Sequence, residues 1–192
     1  MEPQSRLTPR AQGVPENIFL VGLMGAGKTS VGRALAKYLG KAFFDTDQEI
    51  ERATGVKIPI IFDIEGEAGF RVRESKVLAE LTQRQNIVLA TGGGIVLSDE
   101  NRRLLAQRGT VVYLRATADD LRKRTRNDKS RPLLRVADPL LRLQELHDQR
   151  DPLYREVANI VIDTGSQGIN ALMRRLVEQL ATRMRTPAAS SL

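Results

Sequence analysis

Five short apolar runs recur along the chain, separated by longer segments in which apolar residues repeat with helical period. The runs occupy residues 18–21, 42–44, 87–90, 111–114 and 159–162. Each run is continuous rather than alternating, which is typical of strands that are covered on both faces. The segments between them are long enough for the helical crossovers that parallel strands require. The pattern therefore predicts an α/β fold with three layers, α/β/α, around a five-stranded parallel sheet.

Helix boundaries are also marked in the sequence. Val31, Leu35 and Leu39 repeat every four residues, and Gly40 follows them as a C-terminal stop. Ser98 precedes a second helical segment, where its hydroxyl suits an N-cap. These features predict one helix after the first strand and another after the third.

Composition places the chain among ordinary globular proteins. It has 192 residues, of which 41% are hydrophobic and 28% are charged, and this is enough for one domain with its own core. There is no cysteine and only one histidine, His147, to which we assign no role. A disulfide framework, a thiol nucleophile and a zinc site built from thiolates or several imidazoles are therefore excluded.

The two ends differ in composition from the middle of the chain. Residues 1–16 and 185–192 are rich in small and polar residues, so we expect a flexible N-terminal extension and a flexible C-terminal tail. No segment approaches the roughly 20 consecutive apolar residues that span a bilayer, and the first residues lack the apolar core of a signal peptide. We therefore expect a cytoplasmic protein that does not bind membranes.

The net charge is +7, and much of the excess lies between Arg122 and Arg135, where seven bases accompany the single acid Asp128. Such an excess is compatible with nucleic acid, an acidic membrane surface or small anionic ligands. Aromatic residues make up 4% of the chain and none lies among these bases, which disfavours binding of single strands by base stacking. We expect no nucleic-acid partner.

A phosphate-binding motif follows the first strand. Residues 22–29 read Gly-Leu-Met-Gly-Ala-Gly-Lys-Thr and lead directly into the first helix. This strand–loop–helix context is the one in which the motif G-x-x-x-x-G-K-[ST] forms a P-loop, whose backbone N–H groups point at phosphate oxygens. Lys28 then reaches the β- and γ-phosphates, and the Thr29 hydroxyl faces Mg²⁺. A glycine-rich turn without a ligand is the alternative.

Two carboxylates stand at the end of the second strand, and they indicate which class of P-loop protein this chain belongs to. Asp45 and Asp47 stand two residues apart at a strand end, so we expect both to point toward the crevice where α/β proteins bind ligands. One suits Mg²⁺ and the other suits an acceptor hydroxyl. The alternative is that they cap the helix that begins near Gln48. The guanine-binding pattern N-K-x-D is absent from the chain.

A second glycine-rich turn, Gly92-Gly93-Gly94, follows the third strand at the same edge of the sheet. Without side chains, its N–H groups can approach an anion or a hydroxyl closely. A plain flexible turn explains the tripeptide equally well.

Six motifs in the same order give the chain a close resemblance to the shikimate kinase family over about residues 17–180. They are Gly22–Thr29, Asp45–Asp47, Phe70–Glu74, Gly92–Gly94, Arg131–Leu134 and Arg150–Tyr154. The resemblance implies a P-loop kinase fold of the nucleoside monophosphate kinase type, with one kinase domain over residues 17–184. It also implies a substrate-binding region at about residues 48–85 and a mobile lid at about residues 123–138.

The resemblance assigns roles residue by residue. The implied catalytic residues are Lys28, Asp47 and Arg131. The implied ATP contacts are Gly25, Ala26, Gly27, Lys28, Thr29, Ser30, Arg124, Arg131 and Gln167. The implied shikimate contacts are Asp47, Arg71, Gly92, Gly93, Gly94 and Arg150, and the implied Mg²⁺ ligands are Thr29 and Asp45. For Arg71, the alternative is a surface ion pair with Glu67 or Glu74.

The reaction implied is the ATP-dependent phosphorylation of the 3-hydroxyl of shikimate in aromatic amino acid biosynthesis. Three rival functions remain at this level. They are a gluconate kinase-like enzyme, which also phosphorylates a polyhydroxy carboxylate, a basic ATPase that binds nucleic acid, and a structural or regulatory nucleotide binder. The absence of a sustained heptad repeat leads us to expect a monomer.

Overall fold

Five parallel strands form the centre of the fold, as predicted. The structure is a computed structural model that describes residues 16–128, 131–165 and 168–185. Within these residues the strands are β1 (Ile18–Val21), β2 (Ala42–Asp45), β3 (Ile87–Ala90), β4 (Thr110–Arg115) and β5 (Ile160–Asp163). Apart from Glu16 and Arg185, the two ends predicted to be flexible lie outside the described residues.

The strand order β2-β3-β1-β4-β5 determines where a ligand can bind. β1 lies in the middle, with Leu20 aligned between Ala90 of β3 and Val112 of β4. After β1, the chain forms β2 and β3 on one side of β1 and then β4 and β5 on the other side. A crevice therefore opens at the carboxyl end of β1, where the strand order reverses and open α/β sheets bind their ligands.

Helices cover both faces of the sheet and complete the predicted three layers. Within the described residues they are α1 (Lys28–Leu39), α2 (Thr46–Thr54), α3 (Ile58–Leu81), α4 (Asp99–Arg108), α5 (Ala118–Thr125), α6 (Pro139–Val157) and α7 (Ile169–Arg185). α1 packs on β1, β2 and β3 and against α7, while α4 and α6 pack together over β4. None of the described helices is long and apolar enough to cross a membrane.

The sequence signals at helix ends are confirmed. Gly40 adopts a left-handed conformation, with φ 67°, and its N–H donates to Ala36 at the end of α1. The Ser98 side chain accepts a hydrogen bond from the Asn101 N–H at the start of α4. Both signals are local, and for this reason the surrounding fold does not alter them.

The expectation that all five strands are covered on both faces is correct for the centre of the sheet and wrong for its edges. Every residue of β1 and β3 is buried. β5 instead alternates between buried and exposed residues, and β2 begins at the exposed Ala42. β2 and β5 are the edge strands, where the flanking helices no longer cover the whole surface.

A bend at Gly66, where φ is 69°, divides α3 into two helical parts. The bidentate ion pair between Arg73 and Glu65 joins them, with N–O distances of 2.6 and 2.8 Å. Both parts pack with α2 around a small separate core of Ile50, Ile61 and Phe70. α2 and the portion of α3 on either side of the bend thus form a compact unit beside the crevice.

Candidate active site

The P-loop motif occupies the turn between β1 and α1, as predicted. Lys28 is buried, and its Nζ donates to the carbonyl oxygens of Gly22 at 2.7 Å and Leu23 at 2.8 Å. Burial, together with the nearby Arg131, lowers the pKa of Lys28 to about 8 against the opposing effect of neighbouring carboxylates. The ammonium group is therefore held within the loop, in an environment that favours a bound anion.

Asp45 lies at the end of β2 and makes two kinds of contact. Its Oδ2 accepts a hydrogen bond of 2.7 Å from the Thr29 hydroxyl of the P-loop. Its Oδ1 accepts from the N–H groups of Asp47 at 3.0 Å and Gln48 at 3.3 Å, which caps α2. The sequence left open whether Asp45 faces the ligand crevice or caps a helix. In the structure one oxygen of Asp45 caps α2 while the other contacts the P-loop.

Asp47 lies in the first turn of α2, so the expectation that it continues the strand geometry of Asp45 is wrong. The helix nevertheless places it in the crevice, where its Oδ1 is buried without a hydrogen-bond partner among the described residues. Burial and the adjacent Asp45 raise the pKa of Asp47, while Lys28, Arg131 and Arg71 act in the opposite direction. A buried carboxylate of this kind suits a proton-bearing ligand group.

Arg71 and Glu74 lie on successive turns of α3. The Arg71 guanidinium pairs with Glu74 at 2.6 Å and with Glu67 at 2.8 Å, so the ion pairs foreseen as an alternative do form. Glu74 is fully buried, and its Oε1 has no hydrogen-bond partner among the described residues. Burial raises the pKa of Glu74 to about 7, although Arg71 partly offsets this shift and Asp47 adds to it.

The Gly92-Gly93-Gly94 turn makes room for this ion pair. A Cβ atom on Gly92 would lie 2.1 Å from Glu74 Oε1, and one on Gly94 would lie 2.2 Å from Cζ of Arg71. The Gly92 N–H donates to the Thr46 hydroxyl at 2.8 Å. The turn is therefore packed against α3 and α2 and is not a plain flexible connection.

Arg150 reaches the same region from α6. It is only 2% exposed, and its Nε and Nη1 have no hydrogen-bond partner among the described residues. Burial and the proximity of Arg71 lower the pKa of Arg150. Two guanidinium groups thus converge on one pocket, an arrangement that suits a carboxylate.

These residues line two adjoining cavities. The larger, of about 460 Å³, is lined by groups that include Arg71, Glu74, Gly92, Gly94 and Arg150. The smaller, of about 250 Å³, is lined by groups that include Gly25, Gly27, Lys28, Ser30 and Arg124. Both are lined by Met24, Thr29, Asp45, Asp47, Gly93 and Arg131. The P-loop cavity and the arginine-lined cavity therefore meet at Asp47 and Arg131.

Arg131 and Arg124 come from the basic stretch. Arg131 pairs with Asp128 at 2.9 Å. Arg124 donates to the carbonyl oxygen of Gly25 in the P-loop and to those of Thr164 and Gly165 beyond β5. Ala26 of the P-loop is buried. Gln167, the remaining predicted ATP contact, lies outside the described residues.

Sequence reasoning assigned no role in the pocket to Glu74. A signal for its burial was present, because Glu74 stands at four-residue spacing between Phe70 and Leu78, on the buried side of α3. An acid in the middle of an apolar stripe marks a buried carboxylate that needs a partner. That partner, Arg71, is three residues away on the same helix.

The fold and the site together define a P-loop kinase of small molecules: a phosphate loop at the centre of a parallel sheet opens into a separate acceptor pocket. A family model for shikimate kinase matches residues 24–181. The shikimate kinase of Chromobacterium violaceum is 59% identical over 172 residues, covering 90% of this chain and 94% of that protein. That of Burkholderia pseudomallei is 60% identical over 164 residues, covering 85% and 89% respectively.

A solved structure, shikimate kinase from Acinetobacter baumannii in complex with shikimate, superposes with a TM-score of 0.86 at 51% identity. The match covers 88% of this chain and 94% of that one. The chain belongs to the shikimate kinase family. It is a phosphotransferase that uses ATP, as the resemblance in the sequence implied.

We expect Glu74→Gln to change how stability depends on pH. Because the pKa of Glu74 is raised from 4.5 to about 7, the folded protein holds a proton that the unfolded chain has released. The contribution of this group is therefore complete below about pH 4.5 and is lost as the pH rises toward 7. The loss is up to ~3 kcal/mol, since one pKa unit corresponds to about 1.4 kcal/mol.

The measurement is the free energy of unfolding in urea from about pH 4.5 to about pH 8, for wild type and Glu74→Gln. The difference, wild type minus variant, should fall across this window and level off above it. Glu67→Gln, which removes the exposed partner of Arg71, is the matched control. Parallel pH curves for wild type and Glu74→Gln would contradict the protonated state of Glu74.

Proposed function

We propose that the chain transfers the γ-phosphoryl group of ATP to the 3-hydroxyl of shikimate, giving shikimate 3-phosphate and ADP. One observation carries the proposal: a P-loop cavity joins a pocket with two arginines, and Asp47, with one buried oxygen, lies where the two cavities meet. Shikimate has the matching groups, because it bears one carboxylate and three hydroxyls. The transfer belongs to aromatic amino acid biosynthesis.

Arg71 and Arg150 bind the carboxylate of shikimate. Both line the larger cavity, and Arg150 has two donors free of any described partner. Arg71 already pairs with two glutamates, so its guanidinium is held in place before the substrate binds. Gly92, Gly93 and Gly94 form the wall against which the ring hydroxyls lie.

Asp47 accepts a hydrogen bond from the attacking 3-hydroxyl and orients it toward the P-loop cavity. Its buried Oδ1 has no other partner among the described residues, and its raised pKa favours acceptance of a proton. Lys28 and Arg131 lie on the phosphate side and stabilise the charge that develops on the transferred group. Gly25, Ala26, Gly27, Thr29 and Ser30 surround the phosphates.

Thr29 and Asp45 hold Mg²⁺. Their side-chain oxygens are 2.7 Å apart at the edge of the P-loop cavity, so one ion can contact both. Among the described residues, no group of three or more His, Cys, Asp or Glu side chains could hold a metal alone. This fits Mg²⁺, which takes one or two protein ligands and completes its shell with phosphates and water. When bound, the ion neutralises phosphate charge.

We assign the adenine end of ATP to Arg124 and, on the family resemblance alone, to Gln167. Arg124 lines the P-loop cavity and joins the P-loop to the turn after β5. We assign residues 17–184 to one catalytic domain, with a substrate-binding region at residues 48–85 and a mobile lid at residues 123–138. The lid contains Arg131, which lines both cavities, so closure excludes water from the transferring group.

The enzyme acts as a monomer in the cytoplasm and takes no nucleic-acid partner. A location in the cytoplasm is consistent with the use of ATP as co-substrate. Sedimentation analysis at concentrations up to the micromolar range tests the oligomeric state.

The first experiment is a coupled assay of ADP release from Mg-ATP, with and without shikimate. We expect release to depend on shikimate and to show no comparable stimulation by gluconate or by DNA, because the chain matches shikimate kinases over most of its length. Stimulation by gluconate or DNA alone would overturn the proposed acceptor and leave the P-loop assignment intact.

Lys28→Met and Asp47→Asn should each lower kcat while leaving the melting temperature near that of wild type. The expected loss is about 10²- to 10⁴-fold, the range for a removed charge-stabilising donor or general base. Lys37→Met, on the exposed side of α1, and Glu49→Gln, on α2, are the matched controls. A near-normal kcat in either variant would contradict the catalytic role assigned to that residue.

Arg71→Ala should raise KM for shikimate by roughly 10- to 100-fold, the effect expected when a charge-assisted hydrogen bond to the carboxylate is lost. KM for ATP should change far less, because Arg71 lines only the larger cavity. Arg73→Ala removes an arginine of the same helix that pairs with Glu65 outside the pocket, and should leave KM for shikimate unchanged. Equal KM values for wild type and Arg71→Ala would remove Arg71 from the carboxylate site.

A further inference from the structure

A tyrosine outside the assignments above connects two walls of the shikimate pocket. The hydroxyl of Tyr154, on α6, donates a hydrogen bond to the carbonyl oxygen of Gly93 in the glycine turn. Tyr154 is fully buried and stands one helical turn after Arg150. It lies among the residues behind the pocket and does not line either cavity.

The Arg150 guanidinium lies near the same hydroxyl. Burial raises the pKa of Tyr154, so the hydroxyl keeps the proton that the bond to Gly93 requires.

The bond to Gly93 also determines the direction of a backbone donor. The Gly93 carbonyl and the Gly94 N–H belong to one planar trans peptide, in which they point in opposite directions. Holding the carbonyl toward α6 thus turns the Gly94 N–H away from it. Gly94 also lies directly against the Arg71 guanidinium, since a Cβ there would be 2.2 Å from Cζ of Arg71.

The ring of Tyr154 is held independently of its hydroxyl. It stacks on the ring of Tyr113 of β4, with centroids 4.8 Å apart and planes at 30°. Tyr113 in turn donates to Asp151 at 2.8 Å, and Asp151 pairs with Arg155 at 2.6 Å. A phenylalanine at position 154 retains the stacking and loses only the hydroxyl.

We propose that Tyr154 is a positioning residue for shikimate: its hydroxyl fixes the orientation of the Gly93–Gly94 peptide, which lies against the Arg71 guanidinium. The inference rests on the proposed function, because it concerns the pocket that binds shikimate. Without the hydroxyl, the Gly93 carbonyl loses its donor, and the peptide that lies against Arg71 is no longer held in one orientation.

The test is the Tyr154→Phe variant in the shikimate-dependent assay. We expect KM for shikimate to rise about tenfold, the effect of one buried hydrogen bond, with KM for ATP and the melting temperature little changed. Tyr113→Phe removes a hydroxyl from the same aromatic pair, and it should leave KM for shikimate unaltered. A purely structural role would lower stability in both variants and shift neither KM selectively.

Two non-natural residues keep the test decisive if Tyr154→Phe folds poorly. 4-Fluorophenylalanine at position 154 keeps the size of tyrosine but has no donor, and it should reproduce the rise in KM for shikimate. 4-Aminophenylalanine restores an N–H donor, and it should return KM toward the wild-type value. Equal KM values for these two proteins would overturn the inference.

The outcomes separate this inference from the proposed function. If the wild-type protein does not phosphorylate shikimate, both the proposed function and this inference are overturned. If the wild-type protein phosphorylates shikimate and KM for shikimate is unchanged in Tyr154→Phe, only this inference is overturned.

Discussion

The acceptor pocket depends on the buried ion pair between Glu74 and Arg71. A fully buried carboxylate is costly unless a cation and hydrogen bonds compensate it, and the 2.6 Å contact with Arg71 supplies the cation. The pair occupies the space left by Gly92 and Gly94, so the glycine turn and α3 must approach closely. The glycines are thus required by a side chain of the protein itself, in addition to any contact that they make with a ligand.

The crevice concentrates charged groups that are largely removed from water. Lys28, Glu74 and Arg150 are buried, and Asp47 has a buried oxygen without a partner. Burial raises the pKa of the Asp47 and Glu74 carboxyls and lowers the pKa of Lys28 and of Arg150, and neighbouring charges partly offset or add to these shifts. An arrangement of this kind is pre-organised: an anionic substrate or a transferring phosphoryl group meets fixed charges that need little reorganisation.

The architecture brings these charges together from distant parts of the chain. The carboxyl ends of three adjacent parallel strands, β1, β2 and β3, supply the P-loop, Asp45 and the glycine turn. α3 and α6 then add one arginine each from opposite walls. Ile50, Ile61 and Phe70 form a small cluster apart from the main core, so the part of the pocket formed by α2 and α3 has its own packing.

Local features were determined by the sequence alone. The five strands, the P-loop and the caps at Gly40 and Ser98 depend on neighbouring residues, and the structure confirms them. The tertiary structure decided the strand order, the exposure of the edge strands and the start of α2 at Thr46, which moves Asp47 from a strand to a helix. It also decided that Glu74 packs against Gly92, although the apolar spacing around Glu74 already indicated its burial. The strand order, the exposure of the edge strands and this packing depend on contacts between residues far apart in the chain, for which periodicity and motif spacing carry no direct signal.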